Sequence, residues 1–446
     1  MTELSIFCNT LKDIIGDTEN LTIERSREVI KNLNEFLYTN YPGIGTTYVL
    51  ENTYDYISDF HKYWESNYEG ILQATIDDEN CTLVANALHE MFVRTGGRAF
   101  SQVWDTHNLP PEVVCQIRFL TANQDFRGSR DFSKLVEIYN DDPTIFDIQT
   151  IEENPEGFIN HLGITGLSQN DKRIAYARNI AHFISERHSS PYDLLSIFNN
   201  DVNALRNALI TCQGAGYGNK KADMFIRDMV VLEIWPDVQN FECIDVASDI
   251  NTIKVALRTG ILKTAIPLLS SFLDIFCYQY SYIDRMNAAA WRRVWEIWKN
   301  RYPEECIDSP CLMDYFVYNV VGKQFCKESL AIYQCDSEDH HTFKWHSSRN
   351  RTCQICHRNG HRGVTATCIQ KVLPCNDQDG RIAILQSDFV RNLPPEQRFE
   401  ECPFKNICDN NGLKTLQPPK SISILGQTGW ISSYTGRGNG GGGLMA

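Results

Sequence analysis

Leu205-Arg-Asn-Ala-Leu-Ile-Thr-Cys-Gln-Gly214-Ala-Gly216-Tyr-Gly218-Asn-Lys220-Lys-Ala-Asp-Met-Phe225 is the stretch whose reading decides the fold. A helical apolar pattern runs into Gly214, Gly216 and Gly218 and restarts at once with Lys221-Ala222-Asp223-Met224-Phe225. Two helices joined by a glycine-rich turn of this length form a helix-hairpin-helix. Glycines allow positive φ and let another backbone come close. The N–H groups of such a turn and of the next helix's first residues point the same way, a cradle for one phosphate. On spacing alone, a plain structural turn accounts for the glycines as well.

Downstream, Phe241-Glu-Cys-Ile-Asp245-Val246 places an aspartate 25 residues beyond Lys220, just ahead of the helical run Ala247–Arg258. With this aspartate, the segment Gly216-Tyr-Gly218-Asn-Lys220-Lys-Ala-Asp223 resembles the hairpin of the HhH-GPD DNA glycosylases. The nearest likeness is to the bacterial and archaeal 8-oxoguanine branch, which carries Gly-Val-Gly-x-Lys-x-Ala-Asp there. The order of helices agrees with the family from about 111 to 260. Glu112–Asp125 looks like its opening helix, ending in a polar loop. Short helices follow at Phe132–Tyr139 and Thr150–Leu162. Gly163-Ile-Thr-Gly166 precedes a helix over Asn170–Ile184, with Ile174, Ala177, Ala181 and Ile184 on one face and Lys172, Arg173 and Arg178 elsewhere. Pro191–Phe198 and Val202–Ile210 then lead into the hairpin.

The resemblance implies a mechanism. A glycosylase extrudes a nucleotide from the duplex to reach its C1′–N bond. A carboxylate near C1′ stabilises the positive charge that develops there. Asp245 is the candidate, with Asp249 one turn on as the fallback. Lys220 stands where the branch keeps its Schiff-base lysine, an amine that attacks C1′ and can then allow lyase chemistry. The resemblance also assigns Gly214, Gly216, Gly218 and Lys221 to DNA binding. Asn123 and Gln124 would fill the gap left by the extruded nucleotide. Two substrate classes remain open: an oxidised purine, and a hypermodified base such as a glucosylated one in phage DNA, excised in antiviral defence. Beside both stands a non-catalytic helix-hairpin-helix and zinc DNA-binding protein, which has no use for a carboxylate at 245.

At 446 residues the chain suggests two or three domains. We expect a mainly α-helical protein with a helical extension over 1–109 and the glycosylase-like domain over 110–300. A cysteine- and histidine-rich metal-binding domain over 301–433 and a disordered glycine-rich tail over 434–446 complete it. The net charge of −14 argues against nucleic-acid binding unless it is unevenly spread. Residues 343–363 do hold five Lys/Arg and no Asp/Glu, Arg349 and Arg351 among them. Trp291, Trp295 and Trp298 fall on one helix face and read as core. No leader or membrane span is evident, so a cytoplasmic, nucleoid-associated protein acting on modified double-stranded DNA is the expectation.

Ten of the 16 cysteines lie between Cys306 and Cys408, which in an intracellular chain favours metal ligation over disulfides. Cys353-Gln-Ile-Cys356 has metal-knuckle spacing, with Cys335, His340 and His341 ahead and His357 and His361 behind. A second set is Cys368-x6-Cys375 and Cys402-x5-Cys408. Its arms resemble the [4Fe–4S] loop of endonuclease III relatives, but 26 residues stand in the middle where that loop has two. Zinc and an Fe–S cluster are both open at this point. Short strands are expected at Arg381–Gln386 and Ser421–Leu425.

Overall fold

A computed structural model of the chain describes residues 46–49, 52–55, 73–101, 104–124, 131–164, 170–263, 280–325, 331–344, 353, 356, 359–361, 363–371 and 402–411, with Ile6, Asn9, Thr10, Asp13 and Glu69. The protein is mainly helical. In chain order its elements begin with strands β1 (Thr46–Val49), β2 (Asn52–Asp55) and β3 (Thr75–Ile76). Helices α1 (Asp78–Thr95), α2 (Pro111–Ala122), α3 (Phe132–Asp141), α4 (Ile148–Glu153), α5 (Pro155–His161) and α6 (Asn170–Ser185) follow. Then come α7 (Leu194–Ile197), α8 (Val202–Thr211), α9 (Asn219–Val231), α10 (Ile250–Thr259), strand β4 (Leu262–Lys263) and helix α11 (Tyr280–Arg301). Strands β5 (Ala331–Cys335), β6 (Thr342–Lys344) and β7 (Ala366–Lys371) and helix α12 (Lys405–Asn411) close the series.

The chain divides into two compact units, neither continuous in sequence. One comprises 88–249 and 291–317; the other comprises 1–87, 250–290 and 318–446. The N-terminal region, expected to be helical, contains the β1–β2 hairpin and pairs β3 with β4 across 186 residues of sequence. Most of its first 72 residues lie outside the described residues, as do the strands expected at 381–386 and 421–425 and the glycine-rich tail.

The unit holding the glycine turn is built from helices whose ends are marked in the sequence. Pro111 occupies the first turn of α2, where its missing N–H costs nothing. The Asp201 carboxylate accepts from the N–H groups of Asn203 and Ala204 and caps α8, and Asn154 caps α5 in the same way. Val114, Ile117, Phe119 and Leu120 of α2 face Ile180, Ala181 and Ile184 of α6 and Phe225, Ile226 and Met229 of α9 in one core. Arg173 departs from the expected polar face of α6. It is fully buried and donates from Nη1 to the Gln124 carbonyl at 3.0 Å. Trp291 and Trp298 are fully buried and Trp295 nearly so, as a core stripe requires. The indole N–H of Trp295 donates to the Ile307 carbonyl at 2.8 Å and that of Trp298 to the Glu305 carbonyl at 2.9 Å.

In the other unit the three-stranded sheet has the order β6-β5-β7, antiparallel throughout, with a bulge at Ile332/Tyr333. Helix α12 packs against α10. Asn287 donates to the Thr252 hydroxyl at 3.1 Å, tying α11's first half to α10. No helix among the described residues is long and apolar enough to cross a membrane.

Candidate active site and metal centre

Helices α8 and α9 are joined by the turn 212–218, as their spacing predicts. Gly214 and Gly216 take φ of +68° and +76°, a region that side chains with a Cβ seldom adopt. A Cβ on Gly216 would lie 2.5 Å from the Tyr176 ring of α6, so the turn is held closely against that helix. The Tyr217 hydroxyl donates to the Phe119 carbonyl at 2.6 Å and its ring stacks on Phe119. Gly218 is exposed, has open space around it and precedes α9 without a side-chain cap. The first-turn N–H groups of α9 are thus left without a capping side chain.

Lys220 sits in that first turn with an exposed side chain, its Nζ 3.7 Å from the Asp249 Oδ2. Asp245 is reached from a different direction. Its chain segment is anchored by Ile244 and Val246, both buried, and by the Ile244 carbonyl, which accepts from the Ser309 hydroxyl and the Cys311 N–H. Arg292 places Nε and Nη2 each 2.7 Å from the Asp245 Oδ1 and donates from Nη1 to the Glu242 carbonyl at 3.0 Å. Burial pushes the Asp245 carboxyl above the ordinary value of 3.8, opposed by the nearby charges of Arg292 and Arg206. Helix α10 starts at Ile250, so Asp245 is not the residue that precedes it; Asp249 is.

Three of the residues expected at DNA are engaged within the protein. Asn123 is fully buried and donates to the carbonyls of Ala215 at 3.0 Å and Tyr176 at 3.2 Å. Gln124 is buried and donates to the Arg173 carbonyl at 3.2 Å. Both tie the end of α2 to its neighbours, Asn123 to the turn and to α6 and Gln124 to α6. Lys221 is half-buried and donates to the Asn123 carbonyl at 2.6 Å, so its ammonium braces the same joint. Arg349 and Arg351 lie outside the described residues.

Behind the turn runs a buried ion network. Asp228 is fully buried and accepts from Arg118 Nε at 3.1 Å, from Arg227 at 2.6 Å and from the Trp104 indole at 3.4 Å. Arg227 also pairs with Asp314. Neither Asp228 nor Asp314 belongs to a local motif; only folding brings positions 110 and 87 residues apart to these partners.

Two of the six cysteines expected as metal ligands fall in one cluster among the described residues. Cys353 and Cys356 join Cys335 and His341, and all four ligand atoms lie within 4.8 Å of one another. The three cysteines are almost completely buried. Cys335 ends β5, and the loop to His341 is closed by the Cys335 N–H on the His341 carbonyl and the His341 N–H on the Cys335 sulfur at 3.0 Å. The Cys356 N–H points at the Cys353 sulfur at 3.4 Å, the usual knuckle arrangement. These four side chains can hold one metal ion. Cys402 and Cys408 stand apart from this cluster, on and just before α12. The Cys368 side chain and Cys375 lie outside the described residues. The Cys-x5-His spacing ahead of the knuckle was the legible signal for Cys335 and His341.

No protein-family model matches the chain, and no curated protein matches it either.

Proposed function

We propose that the chain is a DNA N-glycosylase, which extrudes a modified base from the duplex and cleaves its C1′–N bond to leave an abasic site. The observation that carries this reading is a juxtaposition in one compact unit. An uncapped helix start after a positive-φ glycine turn carries an exposed lysine, and carboxylates at Asp249 and Asp245 stand beyond it. The turn and the first N–H groups of α9 suit one phosphate oxygen set. The Asp245 carboxylate would face the sugar as C1′ becomes positive. The Lys220 amine attacks C1′ as the base leaves with the bonding electrons, Asp249 being placed to take the ammonium proton first. If water attacks instead, Asp245 takes its proton and the product keeps an intact strand.

An oxidised purine is the substrate class that the Lys220 position implies. The test is incubation with duplexes carrying 8-oxoguanine, uracil or glucosylated hydroxymethylcytosine, with borohydride in half of the samples. Release of one base with a trapped covalent adduct is the expected result. Release without trapping removes Lys220 from covalent chemistry, and release of the glucosylated base alone replaces the substrate. Binding to every duplex with no release identifies a DNA-binding module instead.

We also propose zinc at Cys335, His341, Cys353 and Cys356. A tetrahedral ion with Zn–S near 2.3 Å and Zn–N near 2.0 Å separates two sulfurs by roughly 3.8 Å and a sulfur from a nitrogen by roughly 3.5 Å. Here the Cys335 and Cys356 sulfurs are 3.8 Å apart, and the His341 Nδ1 is 3.6 Å and 3.3 Å from them. An Fe–S cluster takes four thiolates spread around a multi-atom core, which three cysteines and one histidine closing on a point do not match. Elemental analysis of the purified chain should give zinc at one per chain; iron with acid-labile sulfide would overturn the assignment.

A further inference from the structure

The two oxygens of Asp245 are treated differently by the protein. Both contacts from Arg292 go to Oδ1. No hydrogen bond among the described residues goes to Oδ2. The third arm of the same guanidinium holds the Glu242 carbonyl, so Arg292 bridges the side chain at 245 to the main chain three residues before it. A planar guanidinium with fixed donors sets an angle as well as a charge. Arg292 is itself held from behind. Its neighbour Trp291 is fully buried, and Trp295 and Trp298 are each fastened by an indole hydrogen bond to the 305–307 segment.

We infer that Arg292 is a positioning residue, which grips one oxygen of Asp245 so that the other is aimed, ionised, at the reacting sugar. The inference rests on the glycosylase reading for what Oδ2 does, but not for what Arg292 does to Asp245. The charged groups around the carboxylate are Arg292 from α11, Arg206 from α8 and Asp223 from α9, which pairs with Arg206. Burial raises the Asp245 carboxyl, and of the two cations that oppose it Arg292 is the one in contact. Removing Arg292 therefore raises the titration midpoint further. Replacing it with lysine keeps a charge but loses the fork, which restores the midpoint in part and the aim hardly at all.

The experiment uses the full chain as wild type, Arg292→Met and Arg292→Lys, each checked for native circular dichroism. The Asp245 carboxyl carbon is followed by NMR against pH, assigned with Asp245→Asn. Base release is measured on whichever duplex the wild type accepts. The expected result is an upward-shifted midpoint in Arg292→Met and an intermediate one in Arg292→Lys. The release rate should fall on the order of 100-fold in both variants with little change in KM. An unshifted midpoint in Arg292→Met overturns the inference, whatever the activity. A shifted midpoint in a protein that releases no base from any duplex leaves Arg292's hold on Asp245 standing and overturns the glycosylase reading alone. A rise in KM with unchanged kcat would make Arg292 a phosphate contact and also overturn the inference.

Discussion

Burial lifts the Asp245 carboxyl and two guanidiniums pull it back, and the burial effect is the larger. With a folded value above the unfolded 3.8, the group contributes stability that is full below about pH 3.8 and is lost as the pH rises through the folded value. Under the proposed glycosylase function activity should run the other way, because the ionised form is the one that stabilises a developing cation. Base release by the wild type should therefore decline on acidification along a limb centred above 3.8, and a pH–rate profile with its midpoint at or below that value would contradict the environment seen at Asp245. Asp245→Asn should reduce release by on the order of 100- to 1,000-fold while leaving DNA affinity within about twofold. Titration of DNA binding beside single-turnover kinetics separates the two. Asp245 and Lys220 could be proposed from the sequence because a short motif carries them. Arg292 was not, since it lies on a tryptophan helix 47 positions from its partner.

Helix α9 and its turn make a different kind of prediction. Gly216→Ala puts a Cβ at positive φ and 2.5 Å from the Tyr176 ring. It should lower stability by about 1–3 kcal/mol, read as a reduced midpoint in denaturant. Gly218→Ala meets open space at a φ of −110° and should change stability by no more than about 0.5 kcal/mol. Equal losses at the two sites would mean that the turn is not held as the Tyr176 contact indicates. The Cys335–His341–Cys353–Cys356 group behaves as an element too, because it joins the loop after β5 to the knuckle ahead of β7. Cys356→Ser should abolish bound zinc and raise hydrogen exchange across β5 and β7. Retained stoichiometric zinc in that variant would show that a different set of side chains holds the ion. Here the sequence named Cys353 and Cys356, which the described cluster contains, but set them with Cys368, Cys375, Cys402 and Cys408 rather than with Cys335 and His341. Spacing in a chain ranks pairs by nearness in sequence, and Cys335 and His341 reach the knuckle through sheet pairing.

Across the molecule the largest single consequence is expected at a residue that touches neither site. Asp228 is fully buried between Arg118 and Arg227 and takes the Trp104 indole as well. Asp228→Ala leaves two guanidiniums in the core without that counter-charge and should cost about 3–5 kcal/mol. Chemical denaturation with matched m-values would measure it; a loss below about 1 kcal/mol would show that Asp314 and solvent carry the charge alone. Helical periodicity, capping residues and glycine placement determined α2, α6, α8 and α9 and the turn between the last two, since these depend on neighbours within a few residues. Tertiary structure alone decided which polar groups face inward. Asn123, Gln124, Lys221 and Arg173 look like a wet, ligand-facing set in sequence, yet they close the joint between α2, α6 and the glycine turn. A buried carbonyl must find a donor from whatever side chain packing brings within 3 Å, and no local pattern in the chain records which one that will be.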